Sequence, residues 1–331
     1  MPQHNPQQLF IAWVPFQRRQ ISMALLLGFE TVFMPIRQTV RLMRPVQYLG
    51  NALKTLSLLK ARRPKVIWVQ LPQVPLLSVA LLYKRLFDPT VRVIADCHNR
   101  ILNPPWSRWP GLKAQLNACD VVVVHNDAVM PKVAAMGVRL EILRLLEDPP
   151  AAMRTDGSSG PTYPRPWVLF LASFNPDEPV EELFDAARLA PDIHFVIAGN
   201  PNQAKGRHSL ESHPANVVLP GYLNGVTLDS AIASADAILA LTKLDDAQLS
   251  SAGEAIGAGC PMVLSDTPVT RKLYYKGGIF VDTYSPASIV AGCRAAIDAS
   301  KRLATESLEL RDERFARWRA QAASINEELV L

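Results

Sequence analysis

Residues 241–266 read LTKLDDAQLSSAGEAIGAGCPMVLSD, and this stretch leads from the end of one apolar run, through a loop and a helical segment, into a second apolar run. The apolar runs Ala237–Leu241 and Met262–Leu264 are short enough to be strands. Between them, the segment Ser250–Ala258 is predicted to be a helix. Buried apolar strands that alternate with helices indicate a parallel sheet covered on both faces, which is an α/β architecture.

The same alternation extends outward through the whole chain. In the first half, strands are predicted at Leu9–Phe16, Thr31–Pro35, Val66–Leu71, Val91–Ala95, Val121–Val124 and Leu140–Leu145. In the second half they are predicted at Trp167–Leu171, His194–Ala198, Val217–Leu219, Ala237–Leu241, Met262–Leu264 and Ile279–Val281. The chain is therefore expected to form two Rossmann-like, doubly wound domains that face each other across a cleft, with ligands at the carboxyl ends of the strands.

A segment rich in Pro, Gly and Ser separates the two halves, which is typical of a linker. We predict a first domain at 1–150, a linker at 151–166 and a second domain at 167–310. The remaining segment, 311–331, is predicted to be a helix that packs back toward the first domain.

Charge is distributed unequally between the halves. Residues 1–150 contain 19 basic and 8 acidic residues, and the remainder contains 16 and 22. Much of the basic excess lies between Arg37 and Lys65, where it alternates with apolar residues. This pattern fits contact with an anionic membrane surface or a phosphate-bearing acceptor, and it also fits a solvated helix face. Nucleic acid is not expected, because no recognition motif accompanies the charge.

Targeting and cysteine signals are weak. The N-terminal MPQHNPQQ is polar, and no apolar run reaches the length of a membrane span. The four cysteines form no CxxC pair and are expected to be buried free thiols. The sequence thus predicts a cytoplasmic protein, peripheral at the inner membrane face if the basic segment binds lipid.

The loop and helix start within 241–266 have the features of an anion site. Ser250 and Ser251 are predicted to cap the helix, with Glu254 completing a capping box. Small residues such as Gly253 let a ligand or a neighbouring segment approach closely. A diphosphate at this helix start would meet free N–H groups and the positive end of the helix dipole. A capping box on an ordinary helix is the alternative interpretation.

The string EAIGAGCPMVLSD at 254–266 resembles the signature of GT-B glycosyltransferases of the family 4 type. That family has two acidic residues eight positions apart, and Asp246 precedes Glu254 by this spacing. The resemblance implies that Glu254 binds the nucleotide ribose and that Asp246 acts catalytically on the transferred sugar. Ala247–Leu249 replaces the family's usual Gly-Phe-Gly.

The predicted donor-binding residues include Ser250, Ser251 and Gly253 at the helix start, and Gly199 and Tyr222 through the same resemblance. Ser173 and Lys243 complete this set. The stretch Ala172–Pro179 lacks the Arg and Lys with which family members neutralise the diphosphate. It is closer to the β-mannosyltransferase branch that acts on chitobiosyl-diphosphodolichol, which Asp96–Asn99 also resembles. Lys243, Lys205 or Arg207 could replace the missing cations.

The acceptor side is expected in the first domain. His98 follows a predicted strand and resembles the histidine that faces the donor sugar in many GT-B enzymes, so it is a catalytic candidate. Asn99 shares its loop, and His125 is a weaker candidate. Arg18 and Arg19 stand in the first strand-to-helix loop, where guanidinium groups suit a phosphate or carboxylate of the acceptor; an exposed helix start is the alternative.

These features together predict a glycosyltransferase of the hexosyltransferase type. It would move a sugar from a nucleotide-diphosphate sugar to a glycan or lipid-linked acceptor, in polysaccharide or glycoconjugate biosynthesis. No metal and no cofactor besides the donor is expected. A non-catalytic GT-B-like binding subunit and a sugar-nucleotide epimerase are the alternatives, and retention or inversion stays open.

Overall fold

The computed structural model describes residues 7–36, 43–153, 161–223 and 225–329. The chain forms two compact units. The first comprises residues 1–149 together with 316–331, and the second comprises residues 150–315. Arg37 and Arg41 of the basic segment, and residues 154–160 of the predicted linker, lie outside the described residues.

The first unit contains a six-stranded parallel sheet in the order β2-β1-β3-β4-β5-β6. Its strands are β1 Gln8–Ala12, β2 Glu30–Phe33, β3 Val66–Gln70, β4 Arg92–Cys97, β5 Val121–Val124 and β6 Leu143–Leu145. Its helices are α1 Arg18–Leu27, α2 Arg44–Arg62, α3 Val74–Leu86, α4 Leu112–Asn117 and α5 Met130–Ala135.

The second unit contains another six-stranded parallel sheet, in the order β12-β11-β10-β7-β8-β9. Its strands are β7 Trp167–Leu171, β8 His194–Ala198, β9 Val217–Gly221, β10 Ala237–Ala240, β11 Met262–Ser265 and β12 Gly278–Val281. Its helices are α6 Val180–Leu189, α7 Pro201–Ala204, α8 Gly225–Ser234, α9 Ser250–Ala258, α10 Pro268–Leu273 and α11 Pro286–Asp298.

The last helix, α12, extends over Ser300–Leu329 and contributes residues to both units. Its C-terminal part buries Trp318, Ala322 and Ile325 in a core cluster of the first unit, together with Phe10 and Trp68 on the sheet. These contacts explain why residues 316–331 belong to the first unit.

Two predicted strands differ from the observed strands by three residues or more at one end. β1 ends at Ala12 rather than at Phe16, since Pro15 lacks the N–H that a sheet ladder needs. The strand predicted at Leu140–Leu145 begins only at Leu143, after a short 3-10 turn at Leu140–Ile142. All four cysteines are buried and free, as predicted. Within the described ranges, every helix is too short or too polar to cross a bilayer.

Candidate active site

In the second unit, the predicted donor residues fall in loops that follow neighbouring strands. Ser173 follows β7, Gly199 follows β8, Tyr222 follows β9 and Lys243 follows β10. These strands are adjacent in the order β10-β7-β8-β9 and run parallel. Their carboxyl ends therefore share one edge of the sheet, and the structure brings the four residues to that edge.

The start of α9 differs from the predicted capping box. The N-cap is Leu249, and it makes no side-chain hydrogen bond to the helix. Ser250 and Ser251 are the first two residues of the helix rather than caps, so the predicted box with Glu254 is wrong. The first-turn N–H groups receive no cap from Leu249, because its side chain has no acceptor atom. Asp246 is exposed in the loop just before the helix.

The small residues of α9 serve two different purposes. A Cβ at Gly257 would overlap the carbonyl oxygen of Ala151, so this glycine is required by the chain's own packing. A Cβ at Gly253 would meet no atom within 4 Å. Open space therefore lies beside the first turn of the helix, where Glu254 is half-buried.

The loop after β7 is shaped by an internal carboxylate. Glu178 accepts hydrogen bonds from the backbone N–H of Ser173 at 3.1 Å and of Phe174 at 2.8 Å. Burial raises the pKa of Glu178. Gly199 approaches this loop closely, since a Cβ there would overlap the carbonyl oxygen of Ala172. The Ser173 backbone is thus engaged within the loop, while its side chain is exposed.

Three cations were candidates to replace the missing Arg and Lys. Lys243 forms an ion pair with Glu182 at 2.7 Å, which satisfies its charge within the unit. Arg207 donates to the carbonyl oxygen of Phe174 at 3.2 Å and is exposed. Lys205 is exposed beyond α7. Of these three cations, Arg207 is therefore the one whose side chain contacts the loop after β7.

In the first unit, charged residues gather at the carboxyl ends of the strands. Asp96 lies at the end of β4 and is completely buried. His98 directly follows β4, His125 directly follows β5, and Asp148 lies in the loop after β6. The His98 and His125 rings lie 5.3 Å apart, centroid to centroid.

Arg19 is the centre of this cluster, and its side chain is engaged by partners within the unit. The side chain is buried, and Nη2 lies 3.1 Å from Asp96 Oδ1. The guanidinium also donates to the carbonyl oxygens of Leu146 and Glu147, at 2.9 and 3.0 Å, and contacts Asp148. These internal partners occupy the N–H donors of the Arg19 guanidinium group. Its neighbour Arg18 begins α1 and is half-buried.

The cluster sets the protonation of its members. Burial opposes ionisation of Asp96, yet the Arg19 charge and a contact from His98 hold the pKa of this carboxyl well below its usual range. Burial likewise opposes ionisation of Asp148, and the Arg19 charge lowers its pKa. Burial lowers the pKa of His125 to about 4. At neutral pH the two carboxyls are thus ionised and His125 is neutral.

Asp96 and Asp148 were not recognised as parts of a site from the sequence. One signal was present for Asp96, because it interrupts the apolar run RVIADC. A carboxylate inside a buried strand needs a charged partner. The sequence does not reveal that this partner is Arg19.

Comparison with known protein families gives a match in the second unit. Residues 157–308 match the family model of glycosyl transferases group 1. The match spans 152 of the 331 residues and lies within the second unit. The carboxyl edge of the second sheet and the start of α9 fall within the matched residues.

A curated relative also matches part of the chain. It is the processive diacylglycerol alpha-glucosyltransferase of Acholeplasma laidlawii, 24% identical over 94 residues. This match spans 27% of the present chain and 28% of that enzyme.

Solved structures resemble nearly the whole chain. Anabaena Alr3699/HepE, in complex with UDP and glucose, has a TM-score of 0.66 at 13% identity and covers 97% of this chain and 99% of its own. Sucrose-phosphate synthase from Thermosynechococcus elongatus has a TM-score of 0.68 at 12% identity, covering 97% of each chain. At such identities the likeness shows the fold, and the predicted two-domain α/β fold of the GT-B class is confirmed.

A putative UDP-N-acetylglucosamine 2-epimerase from Listeria monocytogenes has the same architecture. Its TM-score is 0.56 at 13% identity, and the alignment covers 91% of this chain and 90% of that one. Proteins named as a sucrose-phosphate synthase and as a putative epimerase thus share this fold.

Proposed function

We propose that this chain is a glycosyltransferase that moves a hexose from a nucleotide-diphosphate sugar to a glycan or lipid-linked acceptor. The observation that carries the proposal is the start of α9, within the residues that match the group 1 family model. There an uncapped first turn, the half-buried Glu254 and the open space at Gly253 lie together. Polysaccharide or glycoconjugate biosynthesis is the process that this chemistry would serve.

The donor would be held by the second unit. First-turn N–H groups and the helix dipole of α9 favour the charge that develops on the leaving diphosphate. Glu254 would accept hydrogen bonds from the ribose hydroxyls, and Asp246 would contact the transferred sugar. Tyr222 is 65% exposed at the end of β9 and would contact the base. Arg207 would supply the positive charge that the loop after β7 lacks.

The acceptor would be bound by the first unit. His98 is partly exposed beside the buried Asp96, so its imidazole could take the proton of an acceptor hydroxyl. Asn99 begins the short turn after β4, and Arg18 begins α1. Both would orient the acceptor. Donor and acceptor residues are thus assigned to different units.

Donor binding can be measured without knowing the acceptor. UDP and UDP-glucose are the first probes, because solved structures of this fold hold them. Ligand at about 100 times its dissociation constant would stabilise the folded chain by about 2.7 kcal/mol. A domain of this size would melt about 5–10 °C higher. Glu254→Ala should abolish most of the shift, and Glu211→Ala, an exposed carboxylate of the same unit, should keep it.

The proposal fails if no nucleoside diphosphate or nucleotide sugar raises the melting temperature. It also fails if Glu254→Ala shifts as much as the unchanged chain. A shift without any sugar transfer, across several donors and acceptors, would instead support a non-catalytic binding subunit, which the altered Ala247–Leu249 stretch favours.

An epimerase is the second candidate, and the fold likeness to the Listeria protein favours it. The two activities differ in their need for an acceptor. Incubation with UDP-N-acetylglucosamine alone would yield an epimeric nucleotide sugar from an epimerase, whereas a transferase would yield free UDP and need an acceptor for efficient turnover.

The β-mannosyltransferase branch is a narrower form of the proposal. It rests on the resemblance of Asp96–Asn99 and of Ala172–Pro179 to that branch. GDP-mannose would then replace UDP-glucose as the preferred donor. A larger thermal shift with GDP than with UDP would support this assignment, and the reverse order would contradict it.

We also propose that α2 docks on an anionic membrane from the cytoplasmic side. Val46, Leu49 and Leu53 recur at three- and four-residue spacing and are 59–62% exposed. Lys54 and Lys60 are exposed on the same helix. Apolar side chains flanked by basic residues are typical of helices that lie in the lipid interface.

Vesicle flotation tests this contact. The chain should float with vesicles of phosphatidylcholine and phosphatidylglycerol, and less with phosphatidylcholine alone. The double variant Leu49→Ser/Leu53→Ser should stay in the lower fraction. Leu189→Ser, which changes a leucine of 58% exposure in the second unit, is the matched control. Equal flotation of all variants would remove α2 from the membrane contact.

A further inference from the structure

The cluster in the first unit connects a buried guanidinium to a partly exposed imidazole. Arg19 lies on α1, and its Nη2 and Nε contact the two carboxylate oxygens of Asp96 at 3.1 and 3.4 Å. On its other side, Asp96 Oδ2 lies 3.6 Å from His98 Nε2. The side-chain exposures are 4% for Arg19, 0% for Asp96 and 19% for His98. These three polar side chains therefore connect the buried core with the carboxyl ends of the strands.

Stability alone does not account for this arrangement. Replacing a buried ion pair by apolar residues of similar volume is often neutral or stabilising, so such a pair is weak evidence of a stabilising role. A carboxylate that is fixed on one side and faces an imidazole on the other is the arrangement that orients histidines in catalytic sites.

We propose that Asp96 is the positioning residue of His98, and that Arg19 fixes Asp96 in place. The inference rests on the proposed function for the catalytic role of His98. The distance of 3.6 Å from Asp96 Oδ2 to His98 Nε2 is longer than a formed hydrogen bond. Catalytic pairs are often this loose before a substrate binds.

The orientation decides which ring nitrogen does the chemistry. With Nε2–H directed at the Asp96 carboxylate, Nδ1 of His98 carries the lone pair. The proton of the acceptor hydroxyl would move to Nδ1 as the new C–O bond forms and the donor's C–O bond to the diphosphate breaks. The resulting imidazolium would be stabilised by the ionised Asp96. His125 and Asp148 face the cluster from the loops after β5 and β6, and the buried Cys97 thiol adjoins Asp96.

Nuclear magnetic resonance of the chain labelled with 15N-histidine tests the positioning directly. The ring signals of His98 are those that disappear in His98→Gln. In the unchanged chain, at a pH where the ring is neutral, they should show the Nε2–H tautomer. In Asp96→Asn, the Nδ1–H tautomer should become populated, because the amide of the new side chain can donate to Nε2.

Asp120→Asn is the matched control. Asp120 accepts hydrogen bonds from Lys84 at 2.6 Å and Arg92 at 2.9 Å in the same unit, but it precedes β5 and so lies at the opposite edge of the sheet. Its substitution should leave the His98 signals unchanged. An unchanged His98 spectrum in Asp96→Asn would overturn the inference.

Two variants test the role of Arg19. Arg19→Met leaves Asp96 without its cation and could unfold the unit, which circular dichroism will show. Arg19→Lys keeps the charge but cannot make the same set of contacts, so a folded Arg19→Lys chain should move the His98 signals in the direction seen for Asp96→Asn. A folded Arg19 variant with unchanged His98 signals would remove Arg19 from the arrangement.

Turnover separates this inference from the proposed function. With UDP-glucose as probe, UDP release by Asp96→Asn should have a kcat at least about tenfold lower, with a KM for the donor within about twofold of the unchanged chain. If the spectra change as expected but the unchanged chain turns over no donor, the proposed function fails and the positioning stands. If the chain is active and neither spectra nor kcat responds to Asp96→Asn, the positioning fails alone.

Discussion

His125 links the stability of the first unit to pH, because folding buries its ring in a neutral state. Burial lowers its pKa to about 4 from an ordinary value of 6.5. Burial is the largest effect; the nearby Asp148 and Asp96 raise this pKa, and His98 and Arg19 lower it. Between these two pKa values the unfolded chain binds a proton that the folded chain does not. The free energy of unfolding must therefore fall as the pH falls from 6.5 toward 4.

The magnitude follows from the size of the shift. A pKa difference of about 2.5 units between the folded and unfolded chain lowers the free energy of unfolding by about 3 kcal/mol at pH 4. The stability that is lost in this way is fully present above pH 6.5. His125→Asn removes the titrating ring but keeps a neutral polar side chain. Between pH 7 and pH 4 the unchanged chain should lose about 3 kcal/mol more stability than this variant, since groups that titrate in both cancel from the difference.

Urea unfolding followed by tryptophan fluorescence measures this difference. The probe suits the first unit, because five of the six tryptophans lie in it and only Trp167 lies in the second. Series at closely spaced pH values from 4 to 7.5 would give the two stability curves. Parallel curves for the unchanged chain and His125→Asn would refute the reasoning, because they would show that His125 does not titrate abnormally in the folded unit.

Gly257→Ala should destabilise the second unit by about 1–3 kcal/mol, because its Cβ would overlap the carbonyl oxygen of Ala151. Gly253→Ala, on the same helix and with nothing within 4 Å, should stabilise it by up to about 1 kcal/mol; urea unfolding followed by far-UV circular dichroism compares the two, and equal stabilities would contradict the close contact. Arg207→Met should weaken UDP binding about tenfold in calorimetric titration, through a lost charge-assisted contact. Lys205→Met should leave the affinity unchanged, and equal affinities of both variants would remove Arg207 from the donor site.

Much of the fold could be predicted from the sequence, because the parallel strands are buried and continuously apolar. The bounds of β5, β7 and β8 agree with prediction, and so do those of α9. The short helices α4, α7 and α10 were not predicted, since segments of four to six residues show little helical period. The capping box expected at α9 is instead found one helix later, where Thr267 and Thr270 cap α10 reciprocally.

Less of the candidate site than of the fold could be predicted from the sequence. Loops after parallel strands could be assigned to one edge, which placed His98 and the donor residues. The partners of Arg19 could not be assigned, because Asp96 is 77 residues away in the chain and Asp148 is 129 residues away. Ion pairs of this kind have no local pattern. An exposed helix start and a buried ion cluster therefore look alike in the string Gln17–Gln20.

The division of the first unit between two chain segments has a consequence for synthesis on the ribosome. Residues 150–315 emerge as one continuous stretch and can fold as soon as they leave the exit tunnel. The core of the first unit needs Trp318, Ala322 and Ile325, which are translated after the entire second unit. N-terminal domains usually fold first during synthesis. In this chain the half that is made first is expected to be completed last, and its open sheet face would be a substrate for chaperones until the final helix arrives.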